Sequence, residues 1–243
     1  MKKDGIILAG GTGSRLSPLT NVVNKHLLGV NGKFVIDYPL HTLKQMGVEN
    51  VTVILGGNHF SQVVGYLQDG ERYGMNFNYV YQAEPKGIAH AINLCKRFVC
   101  SESTQFAVVL GDNIYENPVD FGQNWDGLNA KMTLHKHPEL TRFGVASLKD
   151  NKVVKLQEKP KIIEEQYDNY AVTGCYLFSH WFFEFFKDLK PSPRGEYEIT
   201  DILHRYNKEE SLQYTFVDGL WSDAGTHESI ATVNDYFFNK ESK

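Results

Sequence analysis

The chain has 243 residues, 42% of them hydrophobic and 22% charged, with a formal net charge of −4; this supports a sizeable core and supplies no basic field for nucleic acid. No stretch approaches the about 20 apolar residues of a membrane span, and MKKDGIILAGG reaches glycine too soon for a secretory signal. The three cysteines, Cys95, Cys100 and Cys175, form no CxxC pair and are expected to be reduced thiols of a cytoplasmic protein with no membrane or nucleic-acid partner.

In chain order, residues 5–9 predict a buried strand and 35–46 a helix ended by Gly47. Strands follow at 51–55, 77–82 and 106–110, with helices at 60–67 and 88–98 between them. Near-continuous apolar strands alternating with helices indicate parallel strands covered on both faces, hence an α/β, Rossmann-like doubly wound sheet. The second half reads as strands at 131–134, 145–148, 153–157 and 172–178 with little helix between them. Some of these are expected to be antiparallel, giving one mixed sheet whose later strands form a substrate wall. Helices at 181–188 and 197–207, a strand at 212–217 and a helix at 227–238 complete the reading. WFFEFF, residues 181–186, is apolar on nearly every side and is expected to be a buried core helix. A single domain over 1–243 is expected.

Ligands of open α/β sheets bind at the carboxyl ends of strands. Polar and glycine residues collect at those ends here: AGGTGSR after the first strand, Gln82 and AEPKG, GDN at 111–113, Glu158 with Lys159, and Ser222 with Asp223. The opening loop lacks the glycine–lysine–serine/threonine of a Walker A loop and the third glycine of the dinucleotide fingerprint. Its glycines can still turn N–H groups toward a phosphate chain. Thr12 and Ser14 add hydroxyls, and Arg15 adds a planar donor fork suited to phosphate oxygens. Lys25 is a second positive point. Asp112 and Asp223 stand at separate strand ends, a two-carboxylate arrangement that suits Mg²⁺, which keeps waters and needs few protein ligands.

These residues and the motifs LAGGTGSRL, NKHLL, YQAEPKGIAHA, VLGDNIY, RFGV, LQEKP, YAVTGCYLF, RGEYEITD and WSDAGTHES, in that order, resemble the sugar-1-phosphate nucleotidyltransferases. The resemblance is greatest to the glucose-1-phosphate thymidylyltransferases and covers residues 5 to about 235. It implies that a sugar-1-phosphate oxygen attacks the α-phosphorus of dTTP or UTP and expels pyrophosphate with Mg²⁺ assistance. It implies catalytic roles for Arg15, Lys25, Asp112 and Lys159, with Mg²⁺ on Asp112 and Asp223. It places the nucleotide on Leu8, Gly10, Gly11, Thr12, Gly13, Ser14, Arg15, Gln82 and Gly87. The sugar phosphate falls to Gly144, Glu158, Lys159, Val172 and Thr173. The Gln82 carboxamide can pair with thymine or uracil and, turned over, with cytosine, so Gln82 alone does not choose the base.

The chain departs from the family at Gly29 and Phe34, where proline is usual, at Lys86, where aspartate is frequent, and over residues 135–144, a longer stretch with Phe143 in place of tyrosine. The first two remove no chemical group; the others fall on the base and sugar pockets and keep CTP, or another phosphorylated acceptor, as an alternative. A catalytically dead nucleotide-binding module is an alternative of another class, opposed by the joint presence of Arg15, Lys25, Asp112, Lys159 and Asp223. His135 and His137 are expected to be surface polar residues. Long family members continue beyond the 227–238 helix with segments used in oligomer contacts and product feedback, so a monomer or homodimer is expected.

Overall fold

The computed structural model of the chain describes residues 3–99 and 105–241. The first half contributes β1 (Lys3–Ala9), a short hairpin of β2 (Gly29–Val30) and β3 (Lys33–Phe34), α1 (Asp37–Gln45), β4 (Val48–Leu55), α2 (Phe60–Leu67), β5 (Asn76–Tyr81), α3 (Ile88–Leu94), the one-turn α4 (Lys96–Val99) and β6 (Phe106–Leu110). β1 lies between β4 and β6, with β5 beyond β4, and all these pairs are parallel. Side chains alternate across the sheet, as strand geometry requires. Ile6, Ile54, Phe106 and Val108 enter the core on one face, while Ile7, Val53, Leu55, Ala107 and Val109 enter the core on the other. The near-continuous apolar strands follow from this two-sided burial.

The second half contributes β7 (Asn113–Tyr115), β8 (Ala130–His135), β9 (Gly144–Lys149), β10 (Lys152–Glu158), β11 (Asp168–Phe178), α5 (Trp181–Lys187), α6 (Ile199–Lys208), β12 (Leu212–Phe216), β13 (Trp221–Asp223) and α7 (His227–Glu241). Among the described residues the main sheet has nine strands and is mixed: β8, β9 and β6 all pair antiparallel with β11, while β12 adds to β8 in parallel. β7 and β13 form a separate two-stranded ladder. Tyr38, Ile114, Ala224 and Val233 share a small core that seats α7 on this ladder. Glu116 fastens it further, accepting from Tyr236 Oη (2.6 Å), Leu220 N (2.7 Å) and Lys240 Nζ.

The feature that positions everything else is β11. Asp168–Ala171 pairs with β9, and Cys175–Phe178 pairs with β6. β8 runs along the opposite edge of both halves, with a register shift between Val172 and Tyr176. The C-terminal end of β6 and the start of β9 therefore face each other across Val172, Thr173 and Gly174, and the sheet forks there. Gly174 has φ 81°, and a Cβ on it would stand 2.5 Å from Leu110 Cδ1. No other residue fits that backbone without strain.

Several local expectations need correction. The predicted 88–98 helix divides at Cys95 into α3 and α4. WFFEFF buries only Phe182 and Phe183 fully; Trp181 is 49% exposed, because α5 lies on the sheet with one face toward solvent. His135 and His137 are half-buried around Trp221, with ring centroids 5.8 and 5.7 Å from it. The β2–β3 hairpin and the β7–β13 ladder have strands of two or three residues, too short to show a period. Cys95 and Cys175 are buried free thiols; Cys100 lies outside the described residues. Among the described residues no helix is long and apolar enough to cross a membrane.

Gly174→Ala is expected to destabilise the fold by about 2–4 kcal/mol, through strain at positive φ and the clash with Leu110. Thermal unfolding should show a midpoint lowered by roughly 5–10 °C; an unchanged midpoint would mean that the fork tolerates a side chain.

Candidate active site

The glycine loop leaves β1 and ends in a single 3₁₀ turn, Ser14–Leu16, anchored by the fully buried Leu16. That anchor turns Arg15 outward, 63% exposed, with Nη2 3.9 Å from Asp223 Oδ2. A second 3₁₀ turn, Lys25–Leu27, carries Lys25. Its Nζ lies 2.5 Å from Asp112 Oδ2 and 3.0 Å from where a Cβ on Gly11 would stand, so a side chain there would press on the lysine. His26 supports this turn from below. It is fully buried, and its Nδ1 lies 2.7 Å from Asn24 Oδ1, which also accepts from His26 N. Burial, with the Lys25 charge, holds its pKa down at about 3 against the pull of Asp112, so the ring is neutral and donates to Asn24 at ordinary pH.

Asp112 follows β6 and is joined to β13 by Ala224 N donating to its carbonyl at 2.7 Å. Burial pushes its carboxyl up, but the Lys25 charge, His26 once it is protonated in acid, and hydrogen bonds from Lys25 and Asn113 outweigh that and hold it at about 2. Asp223 pairs with Asn113 across the ladder. Its pKa is raised, first by burial and then by the Asp112 charge, against Arg142 and Arg15. Arg142 Nη2 reaches both Asp223 oxygens, at 3.1 and 3.4 Å, while Nη1 reaches Glu139 at 2.6 Å. Two carboxylates close enough to repel, each already attended by a cation, form the donor set that a hard divalent ion fits with few protein ligands. Among the described residues there is no group of three or more histidine, cysteine or acidic side chains placed to hold a metal.

On the other side of the fork Gly144 and Glu158 are register partners. Lys159 follows in a left-handed conformation, φ 41°, pinned by its N–H on the Phe143 carbonyl at 3.0 Å. The Glu158 carboxyl is raised by burial and by Glu198, against Lys159, Arg194 and Thr200. Val172 and Thr173 are buried at the fork, where the Thr173 carbonyl accepts from Tyr115 Oη at 2.8 Å.

One cavity of about 600 Å³ joins Arg15, Asp112 and Asp223 to Gly144, Glu158, Lys159, Val172 and Thr173. Lys25 adjoins it through Asp112. Leu8, Gly10, Gly13, Ser14, Gln82 and Gly87 do not line it. Leu8 is in β1, Gln82 is buried behind the loop with Oε1 against Gly10, and Gly87 precedes α3. Gly11 and Thr12 line a separate small cleft with Asn24, Gly56 and Gly57. Sequence reasoning assigned nothing to Arg142, Arg194, Thr200 or Trp221, all in the cavity wall. TRFG runs into Gly144 and RGEYEITD stands among the matched motifs, but an arginine in a loop carries no periodic signal.

The nucleotidyl transferase family model matches residues 4–240. A Haloferax volcanii low-salt glycan biosynthesis nucleotidyltransferase is 35% identical over 243 residues, covering 98% of this chain and 67% of that protein. A Neisseria meningitidis glucose-1-phosphate thymidylyltransferase is 36% identical over 240 residues, covering 93% of this chain and 79% of its own length. The crystal structure of a candidate glucose-1-phosphate thymidylyltransferase from Bacillus anthracis, in complex with sucrose, superposes with a TM-score of 0.86 at 41% identity, over 96% of this chain and 94% of that one. With a family match across nearly its whole length and a fold shared with such proteins, the chain belongs to the nucleotidyl transferase family.

Proposed function

We propose that this nucleotidyltransferase transfers a nucleoside monophosphate from dTTP or UTP to glucose 1-phosphate, forming a nucleotide sugar and pyrophosphate, with residues 1–243 acting as one catalytic domain. The observation that carries this reading is the single cavity, which has a cation–carboxylate cluster on one wall and Gly144, Glu158 and Thr173 on the other. A triphosphate and a phosphorylated sugar need those two walls to meet.

The attacking sugar-phosphate oxygen is already an anion, so the reaction asks for position and charge neutralisation rather than a general base. Arg15 and Lys25 face the triphosphate and neutralise charge developing on the leaving pyrophosphate. The backbone N–H groups of Gly10–Ser14 and the hydroxyls of Thr12 and Ser14 hold its oxygens. Gln82 and Gly87 meet the base, and Leu8 flanks it. Lys159 holds the sugar phosphate, fixed by its backbone bond to Phe143. Glu158 accepts from sugar hydroxyls, while Gly144 leaves room beside Val172 and Thr173 for the ring. Asp112 and Asp223 would hold Mg²⁺, which when bound would draw charge from the phosphate oxygens.

Two outcomes are expected. Asp112→Asn should lower metal-dependent pyrophosphate release from dTTP or UTP with glucose 1-phosphate by at least about a hundredfold, with circular dichroism unchanged, and a chelator should abolish the wild-type reaction. Near-normal turnover in the variant would remove Asp112 from the site. Because the Glu158 carboxyl titrates above the usual value of about 4.3, lowering the pH protonates it early and removes an acceptor. KM for glucose 1-phosphate should therefore begin to rise at a higher pH than an ordinary glutamate allows, and Glu158→Gln should lose that rise. An identical acid limb in the variant would exclude Glu158 as a sugar ligand.

A further inference from the structure

Gln82 leaves the end of β5 with its N–H on the Leu55 carbonyl at 2.7 Å, and its side chain is buried. The two ends of the carboxamide meet different surroundings. Nε2 lies 3.4 Å from His90 Nδ1, on α3. Oε1 lies against the phosphate loop, 2.7 Å from where a Cβ on Gly10 would stand. A carboxamide is a donor at one end and an acceptor at the other, so whatever engages one end decides what the other end offers.

The imidazole is held in place. It stacks on Tyr197, with centroids 6.0 Å apart and planes at 25°. Tyr197 is itself fixed by the backbone, its N–H on the Lys86 carbonyl at 2.8 Å and its own carbonyl accepting from Ala89 N at 3.2 Å. The ring is also kept neutral: burial and the Lys86 charge hold His90 below its ordinary pKa, against Glu84. Lys86 and Glu84 pair with each other at 2.5 Å on the exposed loop before α3. An amide nitrogen can only donate, so the 3.4 Å contact requires the tautomer protonated on Nε2, in which Nδ1 presents a lone pair. In that tautomer the lone pair accepts from Nε2 of Gln82 and leaves the carbonyl oxygen as the group turned toward the glycine loop.

We propose that His90 is the positioning residue that sets base choice, by holding the Gln82 carboxamide with its oxygen toward the nucleotide; this rests on the reading of Gln82 as the group that meets the base. Thymine and uracil carry a hydrogen on N3 and donate to that oxygen. Cytosine has a lone pair at N3 and meets it acceptor to acceptor. The opposite orientation, which would suit cytosine, turns the Nε2 hydrogens away from His90 and sets Oε1 against the Nδ1 lone pair.

The test is kcat/KM for dTTP, UTP and CTP with glucose 1-phosphate in the wild type, His90→Phe, His90→Asn and Gln82→Ala. Phenylalanine keeps the stack on Tyr197 and removes the lone pair; asparagine can place a carbonyl oxygen near the Nδ1 position. The wild type should prefer dTTP or UTP to CTP by at least about tenfold. His90→Phe should lower that ratio about tenfold, with kcat for the preferred nucleotide within about threefold of wild type, and His90→Asn should restore the ratio. If His90→Phe does not fold, His90→Leu replaces it. A wild type that favours CTP overturns the proposal, as does a His90→Phe enzyme that keeps the ratio or loses all three activities equally. Gln82→Ala separates the two layers. If it erases the ratio while His90→Phe does not, only the role of His90 falls. If it leaves the ratio intact, Gln82 is not the base reader and both readings fall.

Discussion

One strand has to serve two neighbours on the same edge. β11 gives its first residues to β9 and its last to β6, and a parallel sheet and an antiparallel one meet where it changes partner. Backbone pairing cannot continue across Val172–Gly174 on that edge, so the strands diverge. The divergence is bounded by the ends of β6 and β10 and by the start of β9. Asp112 follows β6, Gly144 opens β9 and Glu158 closes β10. The cavity is therefore a consequence of sheet topology, and it brings together side chains that are far apart in the sequence. Gly174 is the local condition for it, since its left-handed backbone lies against Leu110.

The second constraint is electrostatic. Two carboxylates stand near each other in a half-buried place, which is costly unless positive charge is supplied. Lys25 supplies it at 2.5 Å to Asp112, and Arg142 at 3.1 Å to Asp223, with Arg15 further out. The Lys25 side depends on Asn24, which caps the turn by accepting from His26 N, and on the fully buried His26 ring beside it. The Arg142 side depends on Glu139 and on the aromatic packing of His137, Phe143 and Trp221. Trp221 Nε1 donates to Asn113 Oδ1 at 2.6 Å, tying the aromatic group to the ladder that carries Asp223. Such a site suits a reaction between anions, and the proposed one calls on no protein nucleophile.

Much of this was legible in the sequence because the main strands are apolar and end in charge. Residues 60–67 and 106–110 were read with the bounds the structure has, and several of the acidic and basic residues after the strands line the cavity. The β7–β13 ladder was not legible, since three residues cannot display a period of two. Nor was the break at Cys95, because the apolar spacing of the 88–98 segment continues through it. Arg142 was missed for a different reason: its partner Asp223 is 81 residues away, and only folding reveals the pair. The His90–Gln82 contact was not legible either, as a loop and the first residues of α3 separate the two. The half-buried histidines at 135 and 137 show the reverse error: a polar residue type was taken for a solvent position, whereas Trp221 covers both rings.

The central claim is that positioning and charge carry out a single direct displacement, with no covalent nucleotidyl–protein intermediate. The most direct measurement is the stereochemical course at phosphorus, using dTTP or UTP made chiral by one sulfur at the α-phosphate, with glucose 1-phosphate as acceptor. One in-line displacement predicts inversion of configuration in the nucleotide-sugar product. Retention would require two displacements through a protein nucleophile and would contradict the account.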